Sequence, residues 1–177
     1  MDTTQLFARE SAEYLRETYV PRLRQALEIL PPDDLFWRPH PDGLTVGTVL
    51  LHLEGNVRQW ILSGLAGQAD QRDRSSEFAA TGGLDGSALM ERLARTVDEA
   101  AAFIAGLDSD ALTRRHVIQD FDTTGLGAIY HVVEHFAWHT GQAVWIAKAR
   151  AGAGHGLTFY DEQSINDAHN ADGGAQA

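Results

Sequence analysis

The sequence contains no cysteine, which excludes disulfides, thiolate metal sites and a cysteine nucleophile together. Any thiol chemistry must draw its sulfur from a small molecule. Lysine is nearly absent as well, Lys148 being the only one among 14 basic residues. The arginines are scattered (Arg22, Arg24, Arg38, Arg58, Arg72, Arg74, Arg92, Arg95, Arg114 and Arg115 among them) and the formal net charge is -11. A phosphate-neutralising surface is therefore missing, and nucleic acid is not an expected partner. No stretch approaches the ~18 uncharged apolar residues of a membrane span, so no membrane is expected either. Met1 to Glu10 has neither a basic start nor an apolar run, so no secretory signal is read there and a cytoplasmic location is expected.

What is present is an ordinary globular composition, 44% hydrophobic and 22% charged over 177 residues, enough for one domain with its own core. Apolar residues Leu6, Phe7, Tyr14, Leu15, Leu23, Leu27 and Leu30 recur at helical spacing and predict a helix over 3–30, kinked at Pro21. Pro31, Pro32, Pro39, Pro41 and Gly43 make a helix-hostile connector in which Phe36 and Trp37 are expected to dock onto the core. A second helix is predicted from Thr45, as its cap, to Gly64. The polar, glycine-dotted stretch from Gly67 to Gly86 reads as a long surface loop of the kind that covers sites. A third helix is predicted over 87–105 with Ser87 as cap, then one short extended piece at 116–121, then a fourth helix over 124–151. Four long helices imply an all-α four-helix bundle with long loops. Residues 1–155 are assigned to the bundle and 156–177 to a flexible C-terminal tail, whose last residues lack an apolar anchor.

The chemistry sits on the fourth helix, where His131, His135 and His139 recur every fourth residue. At roughly 100° per residue they drift only about 80° across one face, with Gln142 between them. Val132, Phe136, Ala143 and Ile146 border this stripe on one side and Trp138 and Trp145 on the other, which places the imidazoles within an apolar face. Tyr130, Glu134 and Lys148 are expected on the exposed side. Burying unpartnered imidazoles costs several kcal/mol, and a metal ion relieves that cost. A lone histidine in such a place is better read as a satisfied core residue, but three in phase with another on a second helix favour metal. Spacing of i and i+4 lets two imidazoles reach one ion at about 2.1 Å. The third ligand must come from another helix, and His52 is the histidine on a different predicted helix. His52, His135 and His139 are thus the expected metal ligands, with His131 the alternative member.

The pattern His-x-x-x-His-x-Gly-Gln, here His135, His139, Gly141 and Gln142, resembles the DinB/YfiT-like superfamily. So do His52 on the second helix and the connector from Leu30 to Pro39, and the resemblance spans most of 3–151. It implies a four-helix bundle and a divalent-metal site. Relatives include thiol transferases and a thiol-dependent isomerase, and dimers are common among them, so a homodimer is an open expectation. The family name implies no DNA contact. His131-Val-Val-Glu134-His135 also matches the H-x-x-E-H signature of inverted zincins, with Glu134 as base. Those chains are much larger, and Glu134 falls toward the exposed side of the wheel.

Three neutral imidazoles leave coordination positions open, the pattern of catalytic zinc. The reading is a divalent-metal-dependent enzyme on a small molecule, a thiol transferase or hydrolase, with a low-molecular-weight thiol as a candidate substrate. Zinc or nickel comes first, with iron or manganese as alternatives. The competing reading is a non-catalytic metal or small-ligand binding protein linked to stress. Asn56 and Gln142 could orient a ligand or serve structure alone. Glu54 is expected to face solvent or a subunit interface, and His40, His116, His155 and His169 to lie exposed in loops or the tail.

Overall fold

The first rod of the computed structural model, which describes residues 2–161, 163–165 and 167, begins at a capping box. The Asp2 carboxylate accepts the Gln5 N–H at 2.9 Å, and the Gln5 side chain takes the Asp2 N–H at 3.1 Å, pairing two donors that a helix start leaves free. Helix α1 (Thr3–Glu13) passes through a π-helical turn at Tyr14–Tyr19 into α2 (Val20–Glu28). The expected interruption at Pro21 takes the form of this wide turn directly upstream. A proline offers no N–H and its ring crowds the preceding turn, and the turn is closed by Val20 N–H to the Leu15 carbonyl. Leu15 and, beyond the extra residue, Leu23 and Ala26 are buried, while Leu6 and Tyr14 point outward, contrary to the uniform stripe expected.

Thr45 caps α3 (Val46–Val57) as expected, accepting the Thr48 N–H at 2.9 Å. A second π-helical turn, Arg58–Ser63, carries that rod to Gly64. Between this rod and the next, the predicted loop contains a short helix, α4 (Arg74–Ala79), capped by Asp73. Helix α5 (Gly86–Ala105) starts one residue earlier than expected, because Asp85 and not Ser87 is the cap, accepting the Ala88 N–H at 2.7 Å. After α6 (Ser109–Thr113), the predicted extended piece is a hairpin of β1 (Arg115–Ile118) and β2 (Phe121–Thr124), with Ile118 opposite Phe121. Its two-residue turn puts Gln119 and Asp120 at φ of 52° and 63°, the left-handed pair of a type I′ turn. Thr124 then caps α7 (Gly125–Ala151), which Gly152 ends at a φ of 75°.

The α1–α2 rod packs on α5 and α7, and α3 packs on the same two, so the rods run around the bundle as α1–α2, α5, α3, α7. Leu15, Leu23, Leu50, Leu53, Ile61, Leu93, Ile104, Ile129 and Phe136 fill the centre. Each such side chain contributes about 1.5–3 kcal/mol on burial. The architecture is all-α with one small antiparallel hairpin. Phe36 and Trp37 pack against the core as expected. The Arg22 guanidinium covers the Phe159 and Tyr160 rings and donates to the Tyr160 hydroxyl at 2.9 Å. The rest of the predicted tail, His169 included, lies largely outside the described residues. Among those described, no helix is long and apolar enough to cross a membrane.

Candidate metal centre

Helix α7 packs directly against its neighbour α3, and this contact brings the sequence-predicted residues together. One ring nitrogen each of His52, His135 and His139 lies within 4.8 Å of the other two. The closest pair is His52 Nε2 and His135 Nε2 at 3.2 Å. Two imidazoles bound to one tetrahedral ion at ~2.1 Å hold their nitrogens about 3.4 Å apart, so the His52–His135 spacing already matches that of a shared ion. Ring centroids are 4.5 Å apart for His135 and His139 and 4.9 Å for His52 and His139.

The far side of His52 is tied down by residues that sequence reasoning missed. His52 Nδ1 lies 2.9 Å from Glu77 Oε2 and 3.1 Å from Arg72 Nη2; because a carboxylate only accepts, the shorter contact calls for the proton on Nδ1, which leaves the Nε2 lone pair toward the centre. Arg72 grips the same carboxylate with both arms, Nε to Oε1 at 2.7 Å and Nη2 to Oε2 at 2.9 Å, and also donates to Gln59 at 2.9 Å. The Arg72 and Glu77 side chains are 3% and 9% exposed. Burial pushes the Glu77 carboxyl up, but the hydrogen bonds from Arg72 and His52 outweigh it and hold the group below its usual range. Gly55 on α3 makes this approach possible, since a Cβ there would collide with Glu77 Oε1 and sit 3.0 Å from Arg72 Nε. A glycine inside a helix, which costs about 1 kcal/mol against alanine, was the one sequence signal that another segment passes closely here.

Two of the three imidazoles are held away from protonation. Burial, reinforced by His139, His52, His131 and Arg72, pulls His135 down to about 3. Burial also lowers His139; the His52 imidazole adds to this and the Gln142 side chain opposes it. Buried atoms without a hydrogen-bond partner gather around the same place: His135 Nδ1, His139 Nδ1, Gln142 Oε1, Asn56 Oδ1 and Trp60 Nε1. Desolvated imidazole nitrogens beside the unsatisfied amide oxygens of Asn56 and Gln142 suit a cation that repays the desolvation.

His131 stands apart from the trio. Its ring packs on Trp60 at a 36° tilt with centroids 4.0 Å apart, and its Nε2 lies 3.5 Å from Asn56 Nδ2. Burial lowers its basicity, with Glu134 opposing and Arg72 adding to the effect. Glu134 is exposed, so the inverted-zincin geometry is not formed. Several side chains differ in exposure from the sequence expectation. Trp138 and Trp145 are 64% and 61% exposed, because α7 packs on α2 and α3 and, among the described residues, no rod covers the tryptophan side. Glu54 is 14% exposed and not solvent-facing, since Arg58 at 3.3 Å and Arg92 at 3.2 Å pair with it. His116 is a half-buried residue of β1 opposite Thr123. His155 is half-buried too, and its Nδ1 accepts the Leu157 N–H at 2.9 Å.

A four-helix bundle that joins one histidine from its second rod to two from its fourth defines a class: helical-bundle proteins with a three-histidine group able to hold a metal ion. The DinB superfamily model matches residues 14–143, most of the chain, and the chain belongs to that superfamily. Among solved structures it is similar to a conserved protein from Enterococcus faecalis, at 16% identity and a TM-score of 0.62, over 83% of this chain and 96% of the other. At that identity the likeness concerns the fold. No curated protein matches the chain.

Proposed function

We propose that the chain is a divalent-metal-dependent enzyme acting on a small molecule, by thiol transfer or hydrolysis, with His52, His135 and His139 as the metal ligands. The observation that carries this reading is the convergence of three ring nitrogens within 4.8 Å around a histidine whose outer nitrogen is held by Glu77. A bound zinc or nickel ion would supply Lewis acidity, lowering the pKa of a thiol or of water. The chain's own residues do the rest. Glu77 fixes the His52 tautomer, and Arg72 holds Glu77 in its charged form. Trp60 and His131 close one flank of the site against water. With no cysteine in the sequence, the thiol in a transfer reaction would be a diffusible low-molecular-weight one.

The second reading, metal or small-ligand binding without turnover, draws on the carboxylates. Glu77 is committed to Arg72 and His52, and Glu134 is exposed, so neither is free to act as a base. The test is metal content by elemental analysis of untagged protein. About one equivalent in the wild type, lost in His52→Ala, His135→Ala and His139→Ala but kept in His131→Ala, is expected. No metal after loading with zinc or nickel would overturn the ligand assignment. A panel of thiol acceptors and esters then separates the two readings, because turnover that disappears in His135→Ala is incompatible with binding alone.

A further inference from the structure

Helix α7 presents a second feature one helical step around from the histidines. A cleft of about 580 Å³ opens between α7 and the 39–44 connector, walled by Trp138, Trp145 and Leu44, with Gly141 and Gln142 on the helix side and His40 on the connector. Its volume falls within the range of small-molecule sites, ~300–1,000 Å³. None of its lining side chains is Asp, Glu, Lys or Arg, although the protein is 22% charged with a net charge of -11. Trp138 and Trp145 stand two turns apart on one helix face, 64% and 61% exposed, so their rings are available to a ligand. Gly141, between them, leaves room: an added Cβ meets no atom within 4 Å. A glycine in mid-helix sacrifices stability, and here what it leaves is cleft volume.

We propose that this cleft binds the flat, uncharged aromatic part of a small molecule, and that such molecules are the substrate class of the three-histidine centre. The second half rests on the reading of that centre as a metal site. Continuity is through Gln142, which lines the cleft and lies beside His139, and through Trp138, whose ring is nearly parallel to that of His139 at 6.5 Å. Aromatic faces favour flat apolar ligands, and the wall has no cation to pair with a carboxylate nor anion to pair with an amine. One polar anchor is present. His40 Nδ1 accepts the Asp42 N–H at 3.2 Å, so in the neutral ring the proton is on Nε2, which has no hydrogen-bond partner among the described residues and can donate to a ligand oxygen.

Calorimetric titration of the zinc-loaded full chain with 2-naphthol, and with its charged counterpart 2-naphthoate, tests this. The expected result is saturable 2-naphthol binding, at least tenfold tighter than 2-naphthoate, and reduced at least tenfold both in Gly141→Leu, which fills the cleft, and in Trp145→Ala, which removes a wall. Zinc content should be unchanged in both variants. Absence of 2-naphthol binding, equal binding of the two probes, or wild-type binding by both variants would overturn the proposal. Binding of 2-naphthol by a wild-type protein that takes up no zinc would keep the cleft as a ligand site while refuting the metal reading and the substrate assignment with it.

Discussion

Glu77→Gln exchanges one carboxylate oxygen for an NH2 group and removes a charge where three hydrogen bonds converge, from His52 at 2.9 Å and from Arg72 at 2.7 and 2.9 Å. Glutamine keeps a single acceptor oxygen, so Arg72 loses one of its two bonds in either amide orientation, and His52 loses its acceptor when the NH2 takes the Oε2 position. With the Arg72 side chain only 3% exposed, the uncompensated guanidinium should destabilise the metal-free protein by about 3–5 kcal/mol. The effect on metal is separate. Losing the group that orients a ligand histidine costs ~10–100-fold in affinity, or about 1.4–2.7 kcal/mol. Urea unfolding of metal-free protein reads the first quantity and zinc titration against a competing chelator reads the second. The double variant Arg72→Met with Glu77→Gln removes both buried charges, so it should recover much of the stability without recovering affinity. Wild-type zinc affinity in Glu77→Gln, alongside loss of zinc in His52→Ala, would refute the claim that Glu77 orients His52.

Gly55→Ala should push Glu77 and Arg72 away from α3 and cost about 1–3 kcal/mol in overpacking, with weaker zinc binding; an unchanged urea midpoint would contradict the close approach. Metal-free protein should lose stability as pH falls below about 6.5. In the unfolded chain His135 titrates near 6.5 and in the folded one near 3, so within that window the unfolded state binds more protons. Urea midpoints at a series of pH values check this, and His135→Ala should flatten the upper part of the profile. Glu77, whose folded pKa is lowered from 4.5, contributes stability that is lost only at lower pH, as the pH falls through its folded value. Replacing Gln119 and Asp120, both at positive φ, with Asn and Gly should raise stability by ~0.5–1 kcal/mol, read as a higher melting temperature.

Much of this protein is legible without coordinates because its helices and their caps are local. The backbone ladder repeats every 3.6 residues, so His131, His135 and His139 had to share a face once α7 formed. Thr45 and Thr124 announce the starts of α3 and α7 through their own hydroxyls. His52 was reachable as the histidine on another predicted helix. The pair His135 and His139 was expected from the sequence with His131 as the alternative, and in the fold Trp60 and Asn56 occupy His131. Glu77 and Arg72 were illegible for a different reason. They lie 25 and 20 residues from His52 in a polar stretch, and α4 has only six residues, too few to show a period. The hairpin escaped because its turn carries Gln119 and Asp120 and no glycine. The exposure of Trp138 and Trp145 likewise depended on which side of α7 has no neighbouring rod. Periodicity is set by bonds between residues a turn apart, whereas the partner of a buried nitrogen is set by which distant segment the core brings against it.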